Sequence, residues 1–310
     1  MPPSNLTISH EIQRALNLAL PLVALESTVI THGLPRPQNL SLARDMENTV
    51  REEGAVPATI GVLKGKIRVG LSEADLDELA NVDKPLKISL RDFATATIKG
   101  ASGGTTVAGT MFAAQGAGIK VFATGGIGGV HREKDVRFDI STDLQALATI
   151  PMIVICAGAK AILDLPATVE YLETMAVPVV GYQTDDLPAF YSRESGLKVS
   201  VKVESVEEIV KLAGAHWDMG MKSAILVTNP VPAGDEIPKA RMDPWIIEAS
   251  QEAEKKEIHG QELTPFLLQR INELSNGQSM RANLALLLNN ARLAAQIAKS
   301  MAIAHRRKNI

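Results

Sequence analysis

Six short runs rich in β-branched and other apolar residues recur along the chain: PLVAL (21–25), VPATIGVL (56–63), IKVFAT (119–124), MIVICA (152–157), VPVVGY (177–182) and AILVT (224–228). They do not alternate apolar with polar, so each needs cover on both faces, as the strands of a parallel sheet do. The intervals between them carry helical spacing instead. After the turn at Pro35 and Pro37, Leu40, Ala43, Met46 and Val50 fall on one helical face, and Ser72-Glu73-Ala74-Asp75 spells a capping box ahead of Leu76 and Leu79. Strand, crossover helix, strand predicts an α/β fold with a mainly parallel central sheet. Lys64-Gly65 joins TIGVL to KIRVGL over the length of a tight hairpin, which adds a small antiparallel edge. From residue 243 onward the spacing is helical. It ends in RANLALLLNNARLAAQIAKSMAIAHRR, apolar on much of its circumference and therefore buried in its own fold or against another subunit. No linker, low-complexity tract or repeat interrupts the sequence, which reads as one domain over 1–310.

The charge balance narrows the partners. A net charge of −3 with six Phe, three Tyr and two Trp leaves little for a phosphate-tracking face or a base-stacking platform, so no nucleic-acid partner is expected. The single thiol, Cys156, has no partner for an intramolecular disulfide, and a reducing compartment follows. The start MPPSNLTISH lacks a signal peptide's basic and apolar regions. No charge-free run approaches the roughly 18 residues of a membrane span, so the expectation is a cytoplasmic protein without a membrane partner.

In open parallel sheets, ligands bind beyond the carboxyl ends of the strands, so the residue after each apolar run is the one to inspect. Those ends carry Glu26-Ser27-Thr28, the cluster Gly125-Gly126-Ile127-Gly128-Gly129-Val130-His131, Gly158-Ala159-Lys160 and Asn229-Pro230. An acid, a glycine-rich turn, a lysine and an amide together make a catalytic basin. Glu26 follows five apolar residues, and partial burial there would raise its pKa toward that of a general acid; a carboxylate that only caps the next turn gives the same string. Lys160, among Ala and Gly, reads as a desolvated nucleophile, as a phosphate partner, or as an exposed lysine opening a helix AILDL and pairing with Asp164.

The glycine cluster is not a dinucleotide fingerprint, because His131 stands where the third glycine belongs and the charged string HREKDVR follows. A nicotinamide cofactor is therefore not expected. Gly103-Gly104-Thr105-Thr106-Val107, opening an apolar helix, is the better anion site through backbone N–H groups and hydroxyls, unless it is a plain threonine cap. Asp139-Ile140-Ser141-Thr142-Asp143 sets two carboxylates four residues apart, sparse oxygen ligation that suits magnesium or manganese; a Ser141 N-cap flanked by acids explains it equally. Among the histidines, His32 and His131 follow strand ends and line the expected site, whereas His10, His216, His259 and His305 fall in helical segments.

Taken in order, ALEST (24–28), THGLPRPQN (31–39), GAVPATI (54–60), KISLRD (87–92), TTVAGT (105–110), FATGGIGGVHR (122–132), FDISTDL (138–144), CAGAKAILDL (156–165), GYQT (181–184) and TPFLL (264–268) resemble the pseudouridine-5′-phosphate glycosidase family. The resemblance runs from about residue 8 to about residue 300. It implies an α/β/α sandwich of three layers that assembles as a homotrimer. The implied reaction is reversible cleavage of the C–C glycosidic bond of pseudouridine 5′-phosphate to uracil and ribose 5-phosphate, in nucleoside catabolism, with Mn2+ or a similar divalent cation. By motif, Glu26 matches the proton donor and Lys160 the nucleophile that forms a lysine-linked iminium. Lys87, Thr106, Val107, His131, Ser141, Thr142, Asp143 and Asn283 fall on the substrate side, and Asp139 on the metal position. Thr142 replaces a common alanine, which matters little for a backbone contact. Two other readings accommodate the same basin: another lysine-dependent sugar-phosphate lyase or aldolase, and a non-catalytic sugar-phosphate sensor.

Overall fold

The computed structural model describes residues 5–132, 139–258 and 260–308; the remainder of the charged string after Arg132, and His259, lie outside the described residues. Among the described residues thirteen strands are present: β1 (Leu6–Ile8), β2 (Leu22–Leu25), β3 (Val56–Leu63), β4 (Lys66–Val69), β5 (Leu86–Ile88), β6 (Gly103–Thr105), β7 (Val121–Ala123), β8 (Val130–His131), β9 (Ile153–Cys156), β10 (Leu163–Asp164), β11 (Val179–Tyr182), β12 (Val201–Val203) and β13 (Ile225–Thr228). Eleven of them form one sheet in the order β1-β4-β3-β2-β7-β9-β13-β11-β12, with β6 also pairing to β3 and β5 to β6. From β3 through β12 the neighbours along this path are all parallel, the arrangement that buried, non-alternating strands require. Each of the six predicted runs contains one of these strands. The expected antiparallel edge is the β3–β4 hairpin through Lys64-Gly65, and a separate two-stranded antiparallel sheet joins β8 to β10.

The helices are α1 (His10–Asn17), α2 (Gln38–Glu52), α3 (Glu73–Ala80), α4 (Phe93–Lys99), α5 (Val107–Ala117), α6 (Thr142–Thr149), α7 (Leu165–Thr174), α8 (Val206–Asp218), α9 (Lys239–Lys255), α10 (Leu263–Leu274) and α11 (Gln278–Lys308). The capping box spelled at Ser72 forms, with the Asp75 carboxylate accepting from the Ser72 N–H and the Ser72 hydroxyl accepting from the Asp75 N–H. One layer of the mixed α/β sandwich contains α11, which lies over β2, β7 and β9 between α2 and α8. Its Leu286, Leu287, Ala291, Ala294 and Ile297 are buried there, and Leu284 and Leu288 pack on the same core. Most of the apolar circumference of this helix is therefore buried within the chain's own fold, while Ile303 near its end stays exposed. In another layer α5 packs with α6 and touches β2, β3 and β4, its Ala108, Ala113 and Ala114 small enough to let the helix sit close to the sheet.

Two glycines fix the geometry at the strand ends. Gly158, just after β9, has φ +87°, and a Cβ there would meet the Pro188 carbonyl oxygen at 2.0 Å. A Cβ on Gly128 would meet Ser141 Oγ at 2.3 Å and Asp143 Oδ2 at 2.8 Å. Any side chain at either position would push apart the segments that carry the polar residues described next.

Candidate active site

Beyond the carboxyl ends of β2, β7 and β9 the chain leaves a cleft of about 450 Å³. Its wall includes Glu26, Lys87, Thr106, Val107, His131, Asp139, Ser141, Thr142, Asp143 and Lys160, residues spread over 135 positions of sequence that the sheet gathers into one place. A narrower cavity of about 70 Å³ shares Glu26, Lys87 and Lys160 with the cleft and adds Asn283 from α11, His32, Phe190 and Leu287. Every site residue that the family resemblance singled out borders one of the two spaces, whereas the strand-end amide Asn229 borders neither. Thr28 and Thr264 border both; they sit in the strings ALEST and TPFLL but were not singled out. Arg91 and Ser89 also line the cleft, and the KISLRD string was the only signal for them.

Glu26 follows β2 and is buried. Burial raises its carboxyl above the ordinary value, opposed in part by the Lys160 ammonium and by a hydrogen bond that the Thr124 hydroxyl donates to Oε1. Its hydrogen bond to Thr124, far off in sequence, is not that of a cap on the next turn. Lys87 is pushed down from the ordinary lysine value, chiefly by burial and then by the neighbouring Lys160 charge. Lys160 does not open a helix. Its N–H donates to the Ile127 carbonyl at 3.1 Å, residues 163–164 form β10, and Asp164 caps α7 by accepting from the Ala167 N–H at 3.0 Å. The expected i,i+4 partner is thus committed elsewhere, and Lys160 faces the cleft.

The anion site is smaller than the sequence implied. The Thr105 N–H donates to Ser27 Oγ at 3.0 Å and the Thr106 N–H to the Ile88 carbonyl at 2.9 Å, while the Thr106 hydroxyl caps α5 by accepting from Gly109 N–H at 3.3 Å. Of the three backbone N–H groups from 105 to 107, that of Val107 is the one left to face a ligand. Asp143 also differs from a paired metal ligand. Its Oδ1 accepts from the Ala108 N–H at 2.9 Å and its Oδ2 from the Gly128 N–H at 2.8 Å, so one buried carboxylate ties the first turn of α5 to the glycine loop. Ser141 caps α6, accepting from the Asp143 N–H at 3.2 Å. Both sequence explanations of this string therefore divide: the cap is real, and of the two acids at the cleft wall Asp143 is occupied by backbone N–H groups, which leaves Asp139 as the candidate ligand. Among the described residues no three His, Cys, Asp or Glu side chains converge as an all-protein cage. The donor set fits only sparse ligation by Asp139, with other positions filled by water or substrate oxygens.

The strand-end amide Asn229 turns away from the cleft. It donates from Nδ2 to Asn290 Oδ1 at 3.1 Å, and Asn290 in turn donates to the Thr124 carbonyl at 2.9 Å. No helix among the described residues is long and apolar enough to cross a membrane.

With that geometry in hand, residues 11–300 match the model of the family described as indigoidine synthase A like protein. The chain belongs to the indigoidine synthase A-like family. Its relatives there include a pseudouridine-5′-phosphate glycosidase of Paracoccus denitrificans, 53% identical over 97% of this chain and 100% of that one. Another, from Caldanaerobacter subterraneus subsp. tengcongensis, is 52% identical over 94% of this chain and 95% of its own. Among solved structures, the prealnumycin C-glycosynthase AlnA in complex with ribulose 5-phosphate superposes with a TM-score of 0.90 at 38% identity, covering 99% of this chain and 100% of that one. The indigoidine synthase A-like protein of Thermotoga maritima gives 0.87 at 37% identity over 96% of each chain.

Proposed function

We propose that this protein is a pseudouridine-5′-phosphate glycosidase: it cleaves the C–C bond between ribose and uracil in pseudouridine 5′-phosphate, reversibly, giving uracil and ribose 5-phosphate. The observation that carries the reading is the meeting of Glu26, a buried carboxyl with a raised pKa, and Lys160 in one cleft with Lys87 and the Val107 N–H. The names of the relatives support it, as does a C-glycoside-forming neighbour of the same fold that holds a pentose phosphate.

The chemistry follows from the substrate. A C-glycoside has no heteroatom leaving group, so the two spaced carboxylates of an ordinary glycosidase are insufficient, and an electron sink has to be made. Glu26 gives its proton to the ribose ring oxygen as the bond from that oxygen to the anomeric carbon breaks. Lys160 first gives its ammonium proton to cleft water, the neutral amine bonds to the same carbon, and a second proton lost from the nitrogen to water leaves an open-chain amine adduct. The nitrogen lone pair then forms the iminium while the bond to uracil breaks, its electron pair remaining on uracil C5, which takes up a proton. Water adds to the iminium and releases ribose 5-phosphate as the aldehyde. Lys87, the Thr106 hydroxyl and the Val107 N–H hold the 5′-phosphate, so that binding energy away from the reacting carbon orients it. Thr142 and Ser141 border the sugar, His131 closes the β8 side, and Asn283 faces the base from the narrower cavity. Asp139 would hold Mn2+ or a similar divalent ion, which supplies positive charge to the cleft when bound.

Assembly as a homotrimer belongs to the same reading and rests on the family alone; light scattering should give three times 33.2 kDa. The functional test is direct. Purified protein mixed with pseudouridine 5′-phosphate and a manganese salt should release uracil, seen by its absorbance, and ribose 5-phosphate. An aldolase or other lyase would leave that substrate intact and cleave a related sugar phosphate, and a sensor would bind it without turnover.

A further inference from the structure

We infer that Thr124 is a positioning residue that assigns the two oxygens of Glu26 their separate tasks, and that it is held in place by an asparagine clamp from α11. The inference rests on the reading of Glu26 as proton donor. Thr124 follows β7 and is fully buried, and its hydroxyl donates to Glu26 Oε1. In the protonated acid, the oxygen that accepts this bond is the carbonyl oxygen, so the acidic proton sits on Oε2, which has no hydrogen bond among the described residues. A free carboxylic acid can carry its proton on either oxygen and in either rotamer. The Thr124 bond removes that choice before substrate arrives, which is the preorganisation general acid catalysis needs.

The hydroxyl can do this only if the Thr124 backbone does not move. Its N–H donates to the Ile155 carbonyl at 3.0 Å, which ties β7 to β9. Its carbonyl accepts from Asn290 Nδ2 at 2.9 Å, and Asn290 Oδ1 accepts from Asn229 Nδ2 at 3.1 Å. The Asn229 N–H donates to the Cys156 carbonyl at 2.8 Å. Asn290 is fully buried in a helix whose neighbours Leu286, Leu287 and Ala291 are apolar. A primary amide in that setting costs stability unless every strong donor and acceptor is matched, and here it bridges two strand ends beside the acid. Nothing in the packing of α11 on the sheet needs an amide at that place; the alignment of Thr124 with Glu26 does.

The decisive readout is a pH profile, because a residue that only packs would not move one. The charged and titratable groups around Glu26 are Lys160, Lys87 and Asp143, with His32 on the wall of the narrower cavity, and all are retained in the variants. The Thr124 donor favours the carboxylate form of Glu26, so losing it moves the alkaline limb of kcat, where the acid deprotonates, to higher pH. Uracil release from pseudouridine 5′-phosphate should therefore show, for Thr124→Val, a kcat lower by about ten- to a hundredfold with the limb displaced upward, the loss expected for one hydrogen bond to a charged group. Thr124→Ser should restore both. A Thr124→Val enzyme with the parental limb and kcat overturns the inference while leaving the functional reading intact. A Glu26→Gln enzyme that turns over like the parent overturns the reading of Glu26 as proton donor, and the inference with it, whereas a parent enzyme that releases no uracil overturns the functional reading itself. Should Thr124→Val fail to fold, the infrared difference between the parent and Glu26→Gln still decides. The Glu26 carbonyl band should lie at the lower frequency of a hydrogen-bond acceptor, and a band at the free-acid position overturns the assignment.

Discussion

Replacing Asp143 by alanine removes the one carboxylate that joins the start of α5 to the glycine loop. Two backbone N–H groups lose their acceptor. That of Ala108 lies in the first turn of a helix whose neighbouring side chains are buried, and that of Gly128 lies at the cleft wall. An orphaned buried donor costs about 1–3 kcal/mol, with the Gly128 group at the lower end because cleft water reaches it, so the total is about 2–4 kcal/mol. For a chain of this size each kcal/mol lowers Tm by about 2 °C, giving a fall of about 4–8 °C in a thermal scan followed by circular dichroism. The kinetic loss should exceed what the stability change explains, because the Val107 N–H and the loop before Lys160 are the parts released. At a temperature where the variant is fully folded, kcat/KM for pseudouridine 5′-phosphate should fall by at least about tenfold. Asp143→Asn keeps the shape and one acceptor but turns an NH2 toward one N–H donor, and should lie between parent and alanine variant at about 1–2 kcal/mol. If Asp143→Ala melts within about 1 °C of the parent, the clamp does not carry the load assigned to it.

Three further outcomes test other parts of the account. Glu47, buried between α2 and β3 and accepting from the Thr59 hydroxyl at 2.6 Å, has a folded-state pKa raised mainly by burial. The native state therefore keeps its proton after the unfolded chain has lost it, and stability declines as pH rises from about 4.5 through the raised value. Glu47→Gln should melt higher than the parent at neutral pH, with the advantage vanishing toward pH 4.5, and a pH-independent difference would contradict this. Lys87→Ala should lose about ten- to a hundredfold in kcat/KM on pseudouridine 5′-phosphate and much less on pseudouridine itself; equal losses would remove Lys87 from the phosphate. Chelation should abolish turnover and manganese restore it, whereas Asp139→Ala should fold, bind manganese more weakly by calorimetry and stay inactive. Full activity with verified metal-free protein would refute the metal assignment.

The strands were legible because parallel strands covered on both faces have to be continuous in Val, Ile and Leu, and β2, β9 and β13 leave no other reading of their sequences. The site was partly legible for the same reason: once strand ends are located, the residues beyond them include Glu26, the glycine turn 125–129 and Lys160, but the same rule also offered Asn229, which borders neither space, and passed over Thr124 at the end of its own run. What one-dimensional spacing conceals is which groups already have partners. An i+4 pairing of Lys160 with Asp164 was one of three readings of that string because the two share a helical spacing, but pairing of β10 with the distant β8 replaces that helix with a strand. The N–H groups of Thr105 and Thr106 read as free because their acceptors, Ser27 and Ile88, lie far off in sequence. Asp143 resembled a ligand for the same cause, since a charge is visible in a string and the two amides that bind it are not. The Asn290 clamp was hidden inside a run of leucines and alanines, where an amide signals a buried partner without naming it.

The central claim is that the Lys160 amine bonds to the anomeric carbon of the sugar. Enzyme incubated with ribose 5-phosphate and borohydride should retain the reduced sugar phosphate as a secondary amine, and intact mass followed by peptide mapping should place one adduct per chain on residue 160. Lys160→Ala should show neither adduct nor uracil release. A label on Lys87 or another lysine, or near-parental turnover by Lys160→Ala, would contradict the mechanism.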